Sequence, residues 1–143
     1  MKEDIESMMK KISFAAVAFA VLMLATAPAA LATTVTEVQA MITSLKTKTE
    51  TVAISGKSAD KDRATLLAKL AEASLKVDQA KFCDSIAKLN DFKVKVNQLI
   101  AAGKINQDPA AGTTGQELLN DADATIAALN ELQTQSTGAA CTF

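Results

Sequence analysis

Apolar and polar residues follow two different patterns along the chain. Residues 12–25 form a nearly unbroken apolar run of about 14 residues, the length of a signal-peptide core. From residue 35 onward, apolar residues instead recur three and four positions apart, as they do on one face of an α-helix. The first pattern predicts a segment for export, and the second predicts a helical domain.

The residues around the apolar run complete the pattern of a cleavable secretory signal. Lys10 and Lys11 supply positive charge before the run. Ala30 and Ala32 place small residues three positions and one position before a cleavage point. The sequence therefore predicts that the mature chain begins at Thr33 and is secreted or periplasmic.

The length of the apolar run bears on the alternative of an uncleaved anchor, and the charges before it bear on where translation starts. An uncleaved transmembrane anchor needs about 20 apolar residues, and this run is shorter. Acidic residues before Met8 are unfavourable for a positive amino-terminal region, so translation is expected to start at Met8 or Met9. The chain is thus divided into a signal peptide, residues 1–32, and one domain, residues 33–143. Only the signal peptide, before its cleavage, is expected to contact the membrane.

The helical pattern after residue 33 separates into four amphipathic segments. They span about residues 35–54, 60–77 and 80–102, with a fourth helix starting near Thr114. Short links between helices that each have one apolar stripe favour an all-α, up-down-up-down four-helix bundle. The predicted core positions are Val35, Val38, Met41, Ile42, Leu45, Thr49 and Val52; Leu66, Leu67, Leu70, Ala73, Ser74 and Val77; Phe82, Ile86, Leu89, Phe92, Val96, Leu99 and Ile100; and Leu118, Leu119, Ala122, Ile126, Leu129 and Leu132.

Turn and capping residues predict where these helices end. Gly56 indicates a turn after the first helix, and Gly103 is suited to the left-handed residue that ends the third. Thr114 and Glu117 match a capping box, in which the two residues bond to each other's backbone. The fourth helix is therefore expected to begin next to Thr114.

Composition excludes several classes of function. The 143-residue chain has no histidine, tyrosine or tryptophan, and its formal net charge is −1. Without histidine there is no Ser-His-Asp arrangement, and the commonest general base and metal ligand are absent. A nearly neutral chain is unsuited to nucleic acid, which needs a basic face. We expect no enzyme activity, no cofactor and no nucleic-acid partner.

The two cysteines, Cys83 and Cys141, both follow the predicted cleavage point. In an oxidising compartment two thiols are usually paired. Antiparallel third and fourth helices would bring the start of one beside the end of the other. The sequence therefore predicts a structural disulfide, which in the chain-entropy model stabilises the fold by roughly 4 kcal/mol. Free or intermolecular thiols remain the alternative.

Three groups of polar residues have the chemistry of a binding or catalytic site, but the sequence favours a structural role for each. Asp121 and Asp123 are two residues apart on a helix, so they diverge, and we attribute them to the favourable field of the helix N-terminus. Residues 106–108 carry too few oxygen ligands, and no suitably placed glycine, for a calcium loop. Lys93 and Lys95 form a small basic spot, interpreted as a solvated face.

Residues 66–129 contain an ordered set of apolar, small and glycine positions: Leu70 and Ala73; Ala87 and Leu89 with Phe92 and Val96; Leu99-Ile100 with Gly103-Lys104-Ile105; and Leu118-Leu119 with Ala122 and Ile126. In these elements the segment resembles the FIMAH domains, small helical modules at the ends of large secreted bacterial hydrolases and adhesins. The resemblance implies an extracellular accessory or interaction module without catalysis of its own, and it supplies no catalytic residues.

Together these features predict an exported, non-enzymatic helical bundle that binds a protein or a surface polymer outside the cytoplasm. The expected contact region is either the exposed faces of the bundle or the loop of residues 103–115, in which Lys104, Asn106 and Asp108 are candidate contact residues. Two alternatives stay open. One is an enzyme or small-ligand carrier that uses a cavity between helices, and the other is a self-assembling structural protein.

Overall fold

The structure is a computed structural model that describes residues 32–143. Residues 1–31 of the predicted signal peptide, including Ala30, lie outside these residues. Within the described part, the chain forms four α-helices and one short 3-10 helix, Pro109–Ala111, in the last connection. The α-helices are α1 (Val35–Thr51), α2 (Ala59–Asp78), α3 (Phe82–Ala101) and α4 (Gly115–Thr137).

Each helix packs against the next, and α1 also packs against α4, so the four helices close into a ring. Side-chain bonds show that the neighbours are antiparallel. Gln39, early in α1, donates to Asp78 at the end of α2 at 2.8 Å, and Lys48, late in α1, bonds Glu117 at the start of α4 at 2.6 Å. The predicted all-α, up-down-up-down arrangement is therefore confirmed. The ion pairs between α2 and α3 run the same way: Asp62–Lys95, Lys69–Asp91, Glu72–Lys88 and Lys76–Asp84.

The core is made of the apolar stripes of all four helices. The stripe on α3 is the most complete, with Phe82, Ile86, Leu89, Phe92, Val96 and Leu99 all buried. Val35 was wrongly predicted as core. It is the first residue of α1 and is 42% exposed, and the buried stripe begins one turn later at Val38. Met41, Leu67, Ser74, Ile100 and Ile126 are only partly buried, because they flank the stripes rather than centre them.

Buried hydroxyl groups in the bundle bond to backbone carbonyls. Thr49 and Thr125 donate to the carbonyl one turn earlier in their own helices, at 2.7 and 2.8 Å. Ser85 of α3 instead donates across the core to the carbonyl of Ala73 in α2, at 2.9 Å. A buried hydroxyl without a partner would cost free energy, so these bonds make the polar residues compatible with the core.

Two threonines begin helices. Thr34 forms a full capping box with Glu37 at the start of α1, a motif the sequence analysis missed. At α4, the hydroxyl of Thr114 accepts a hydrogen bond from the Glu117 amide at 3.0 Å, as predicted. The reciprocal half of this box is absent, because the Glu117 carboxylate bonds Lys48 of α1 instead. The Glu117 side chain therefore links α4 to α1 instead of completing the cap at the start of α4.

The ends of the helices differ from the prediction mainly at α1. This helix ends at Thr51, three residues before the predicted end, because the chain turns at Val52 into an extended segment. At the end of α3, Gly103 adopts φ 63°, the predicted left-handed conformation. At the end of α2 the same role falls to an alanine, Ala80, with φ 55°.

Candidate functional site

One end of the bundle, called here the loop end, consists of the α1–α2 link (residues 52–58) and the α3–α4 loop (residues 102–114). The two segments pair through an antiparallel bridge between Ile54 and Ile105. The amide of Ser55 donates to the carbonyl of Lys104 at 2.7 Å, and the amide of Asn106 donates to the carbonyl of Ala53 at 2.9 Å. Ile105 is only 4% exposed, so the bridge is anchored in the core.

The side chain of Asn106 organises the rest of the loop. Its amide nitrogen donates to the carbonyls of Asp108 and Thr113, at 2.9 and 3.0 Å, and its side-chain oxygen accepts from the amide of Asp108 at 3.0 Å. The backbone carbonyl of Asn106 accepts a hydrogen bond from the amide of Gly115 at 2.9 Å. One side chain thus fixes both the entry and the exit of the loop.

Gly115, the first residue of α4, lies where the loop closes onto α3. A Cβ atom at this position would come within 2.9 Å of side-chain atoms of Ile100 and Ile105, and within 2.6 Å of Gln107. These contacts are too short for any side chain. Glycine therefore allows the loop to pack directly on the start of α4.

The tip of the loop is the short 3-10 helix, Pro109–Ala111, and it is exposed. Asp108 begins this helix, and its carboxylate accepts from the amide of Ala110 at 2.9 Å. Of the three candidate contact residues, Asn106 and Asp108 are therefore used within the loop, and Lys104 is half-buried beside it. The exposed residues at the tip of the loop are Gln107, Asp108, Pro109, Ala110, Ala111 and Gly112.

The opposite end, called here the clasp end, consists of the α2–α3 turn (residues 79–81), the start of α3 and the segment after α4 (residues 138–143). Cys83 and Cys141 are joined there by a disulfide with a Cα–Cα distance of 5.5 Å, as predicted. Both cysteines are half-buried, and Cys141 packs against the core. The bond ties the chain after α4 to the first turn of α3.

The charged residues singled out in the sequence are paired across helices. Asp121 bonds Lys48 of α1 at 2.6 Å, whereas Asp123 bonds Lys93 of α3. The two aspartates diverge as predicted, but they are held by lysines of neighbouring helices. Lys95 pairs with Asp62 of α2 at 2.8 Å. Lys93 and Lys95 therefore point to different partners and do not form a shared basic spot.

Lys48 of α1 forms ion pairs with two carboxylates of α4, those of Glu117 and Asp121. The hydrogen bonds that Lys48 donates to Asp121 and Glu117 raise its pKa above the ordinary 10.5 of a lysine. The same lysine holds the pKa of Glu117 below its usual value. Likewise, Lys95 and the hydroxyl of Ser58 lower the pKa of Asp62. These carboxylates are stabilised as anions, so they serve as ion-pair partners and are not poised to carry protons.

A shallow cleft between α1 and α4 lies beside this ion pair, lined by Met41, Ser44, Ala124 and Thr125. It is the place where an inter-helix ligand site would be expected. The hydroxyl of Thr125 is already bonded to the carbonyl of Asp121. The cleft thus offers mainly Met41 and Ala124 carbon atoms and the Ser44 hydroxyl.

The described residues contain neither a metal-binding cluster nor a membrane span. Among residues 32–143, no three or more histidine, cysteine or acidic side chains are grouped to hold a metal ion. None of the helices in this part of the chain is long and apolar enough to cross a membrane. The comparisons with known proteins returned nothing: no family model, no curated protein and no solved structure matches this chain.

Proposed function

We propose that the protein is an exported, non-enzymatic interaction module that binds a protein or a polymer outside the cytoplasm through the tip of the α3–α4 loop. The observation that carries this proposal is the hydrogen-bond framework of Asn106, which holds the exposed segment Pro109–Ala111 in one conformation. A bundle needs no such framework merely to connect two antiparallel helices, since a short turn suffices between α2 and α3.

A preformed loop favours binding for a thermodynamic reason. A flexible loop loses conformational entropy when it binds, whereas a loop that is already ordered does not. The framework is anchored at both ends, by the bridge between Ile54 and Ile105 and by the close packing at Gly115. Proline at the tip restricts the backbone further. The exposed surface is small and weakly charged, which fits a shape-selective contact.

The absence of catalysis in this proposal rests on the sequence and on the charge pairs. The chain has no histidine, and the carboxylates with shifted pKa values, Asp62, Glu72 and Glu117, are all lowered by lysine partners. A general acid or base at neutral pH needs a pKa near 7, which is a shift in the other direction. The resemblance to FIMAH modules points to the same accessory role.

Binding to the surface of the producing cells tests the loop. The protein is labelled at a single site, and its binding is compared with that of a variant carrying Ala110→Arg and Ala111→Arg. Both alanines are exposed, so the substitutions leave the framework of Asn106 in place. The control carries Ala139→Arg and Ala140→Arg, two exposed alanines at the clasp end that add the same charge.

We expect the loop variant to bind at least tenfold more weakly, because adding two long charged side chains to a small contact surface prevents close packing. The control variant should bind like the parent. Equal binding by all three proteins, or equal loss in both variants, would contradict the proposal. Turnover of a substrate by the purified protein would replace it with the enzymatic alternative.

Export is tested separately by the mass of the protein recovered outside the cytoplasm. We expect a chain that begins at Thr33, because Ala30 and Ala32 supply the small residues that the signal peptidase requires. A disulfide is also typical of an oxidising compartment. Recovery of a chain that keeps residues 12–25 would show an uncleaved anchor instead.

A further inference from the structure

The segment after α4 is fastened to the bundle at one point. Helix α4 ends at Thr137, Gly138 takes a left-handed conformation, and residues 139–143 form neither helix nor strand. The hydrogen bonds of this segment are local, between Thr137 and Ala139. Cys141 is half-buried while its neighbours are exposed. The disulfide to Cys83 is therefore the main attachment of the segment.

The start of α3, by contrast, is held independently of the disulfide. Phe82 and Ile86 are buried in the core on either side of Cys83. Ser85 is fully buried and donates to the carbonyl of Ala73 in α2 at 2.9 Å. Opening the disulfide would therefore free residues 139–143 while α3 keeps its contacts with α2.

The two sulfur atoms also differ in their surroundings. Cys83 is the second residue of α3, and Lys81, which precedes the helix, makes no side-chain cap bond. The first amide groups of α3 thus lack a side-chain acceptor, and the N-terminus of a helix stabilises a nearby thiolate. Cys141 lies outside any helix, so its sulfur stays near the start of α3 only while the disulfide holds it there.

We propose that the disulfide is a releasable clasp on residues 139–143, opened by a small thiol that attacks the sulfur of Cys141 and expels Cys83 as a thiolate. The attacking thiolate forms a new S–S bond to Cys141, the Cys83–Cys141 bond breaks, and its electron pair leaves with Cys83. A second thiol then attacks the mixed disulfide, releasing the oxidised small disulfide and the Cys141 thiolate. Two thiols are oxidised and one protein disulfide is reduced. This proposal does not depend on the binding loop.

Trapping the mixed disulfide tests the direction of attack. The protein with its disulfide intact is exposed to a small excess of reduced glutathione, quenched with acid, alkylated and mapped by peptide mass spectrometry. We expect the species with glutathione on Cys141 and the alkyl group on Cys83 to be at least five times as abundant as the species with the reverse labelling. Equal labelling of both cysteines, or glutathione mainly on Cys83, would overturn the direction of attack.

A matched pair of charge variants tests the role of the helix start. Asp84 is exposed and lies next to Cys83, so its charge opposes a thiolate there. Asp84→Asn should increase the rate of exchange with glutathione by about twofold. Asp91→Asn makes the same charge change two turns along α3 and should leave the rate unchanged. Equal rates in both variants would contradict a leaving thiolate at Cys83.

NMR relaxation and hydrogen exchange together test whether opening is confined to the clasp. After reduction we expect lower ¹⁵N heteronuclear NOE values at residues 139–143, whose hydrogen bonds are only local, and unchanged exchange protection at Phe92 and Val96 in the middle of α3. The variant carrying Cys83→Ser and Cys141→Ser should show the same pattern without reductant. Loss of protection throughout α3, or no change after residue 138, would overturn the clasp.

Discussion

The two ends of the bundle close the same four helices by different means. At the loop end, two segments far apart in sequence are joined by a backbone bridge and by the side chain of Asn106. At the clasp end, a short turn connects α2 to α3, and one disulfide holds the chain after α4. The first arrangement fixes a long loop by many weak bonds. The second fixes a short segment at a single strong point.

Because of this difference, the loop end stays ordered through many bonds, whereas the clasp end can be released by breaking one bond. Many hydrogen bonds must break together to disorder the loop end, whereas one chemical step opens the clasp end. The loop end is therefore suited to present a surface of fixed shape. The clasp end is suited to hold a segment that thiols in its surroundings can free. Changes at each end should therefore have effects of different size and reach.

Removing the clasp gives the largest expected change. The variant carrying Cys83→Ala and Cys141→Ala should lose about 2–3 kcal/mol of unfolding free energy, below the limit of about 4 kcal/mol for a bond that spans 58 residues in sequence. Urea unfolding measures this loss, and reduced wild-type protein is the control. A value near the upper limit would mean that residues 139–143 stay ordered without the bond. A value below 3 kcal/mol is the result expected if they are freed.

Gly115→Ala should have the next largest effect, and at the opposite end. The added methyl group meets Ile100 and Ile105 at less than 3 Å, so the loop must move away from α4. We expect a loss of about 1–3 kcal/mol, the usual cost of overpacking, despite the better helix propensity of alanine. Urea unfolding measures it.

The control for Gly115→Ala is Asn120→Ala, at an exposed position of the same helix. It adds alanine without a steric clash and should be neutral or slightly stabilising. If both variants were stabilised alike, the close packing at Gly115 would not constrain the loop.

Asn106→Ala tests whether one side chain holds the loop. It removes the donor to the carbonyls of Asp108 and Thr113 and the acceptor for the Asp108 amide. We expect a loss of about 1–2 kcal/mol and faster amide exchange at residues 108–113. Asn106→Asp keeps the acceptor and removes the donors, so it should restore only the protection of the Asp108 amide. Unchanged exchange in Asn106→Ala would show that the loop is ordered by other contacts.

The sequence predicted the four helices and the disulfide because both follow from local or pairwise rules. The helical period placed nearly all of the buried stripe on α3, and the antiparallel order brought Cys83 beside Cys141. The loop end depends instead on residues that meet only in the folded chain. Nothing in the residues around Ile54 indicates that Ile105 will pair with them.

Side-chain choices between competing partners were equally hidden from the sequence. Glu117 has the spacing of a capping box, yet it bonds Lys48 of α1. Asn106 was considered as a ligand or contact residue, and its side chain is used within the loop. In each case a local motif competes with a partner from another helix, and the competition is decided by the packing of the bundle.

The ends of α2 and α3 offer a smaller, matched comparison. Ala80 and Gly103 both end a helix in the left-handed conformation, with φ of 55° and 63°. Because a Cβ atom disfavours this conformation, Ala80→Gly should stabilise the protein by up to about 1 kcal/mol. Gly103→Ala should destabilise it by a similar amount. Thermal unfolding of the two variants measures both, and shifts of the same sign would contradict this explanation.

Acid should weaken two ion pairs on the helices beside the loop end, Lys48–Glu117 and Lys95–Asp62. Lys48 lowers the pKa of Glu117 below the ordinary 4.5, and Lys95 lowers that of Asp62 below the ordinary 3.8. A lowered pKa in the folded state means that the stabilisation is present above these ordinary values and is lost as the pH falls through the folded ones. The effect of Glu117 on stability is small because its side chain is partly exposed.

Titration of the Glu117 carboxyl group by NMR measures this directly. In Lys48→Met the pKa of Glu117 should rise toward its ordinary value, because the first of its causes, the hydrogen bond from Lys48, is gone. Lys81→Met, at the clasp end, removes the same charge from an exposed position and should leave Glu117 unchanged. A titration curve that is identical in the parent and in Lys48→Met would show that this lysine does not join α1 to α4 in solution.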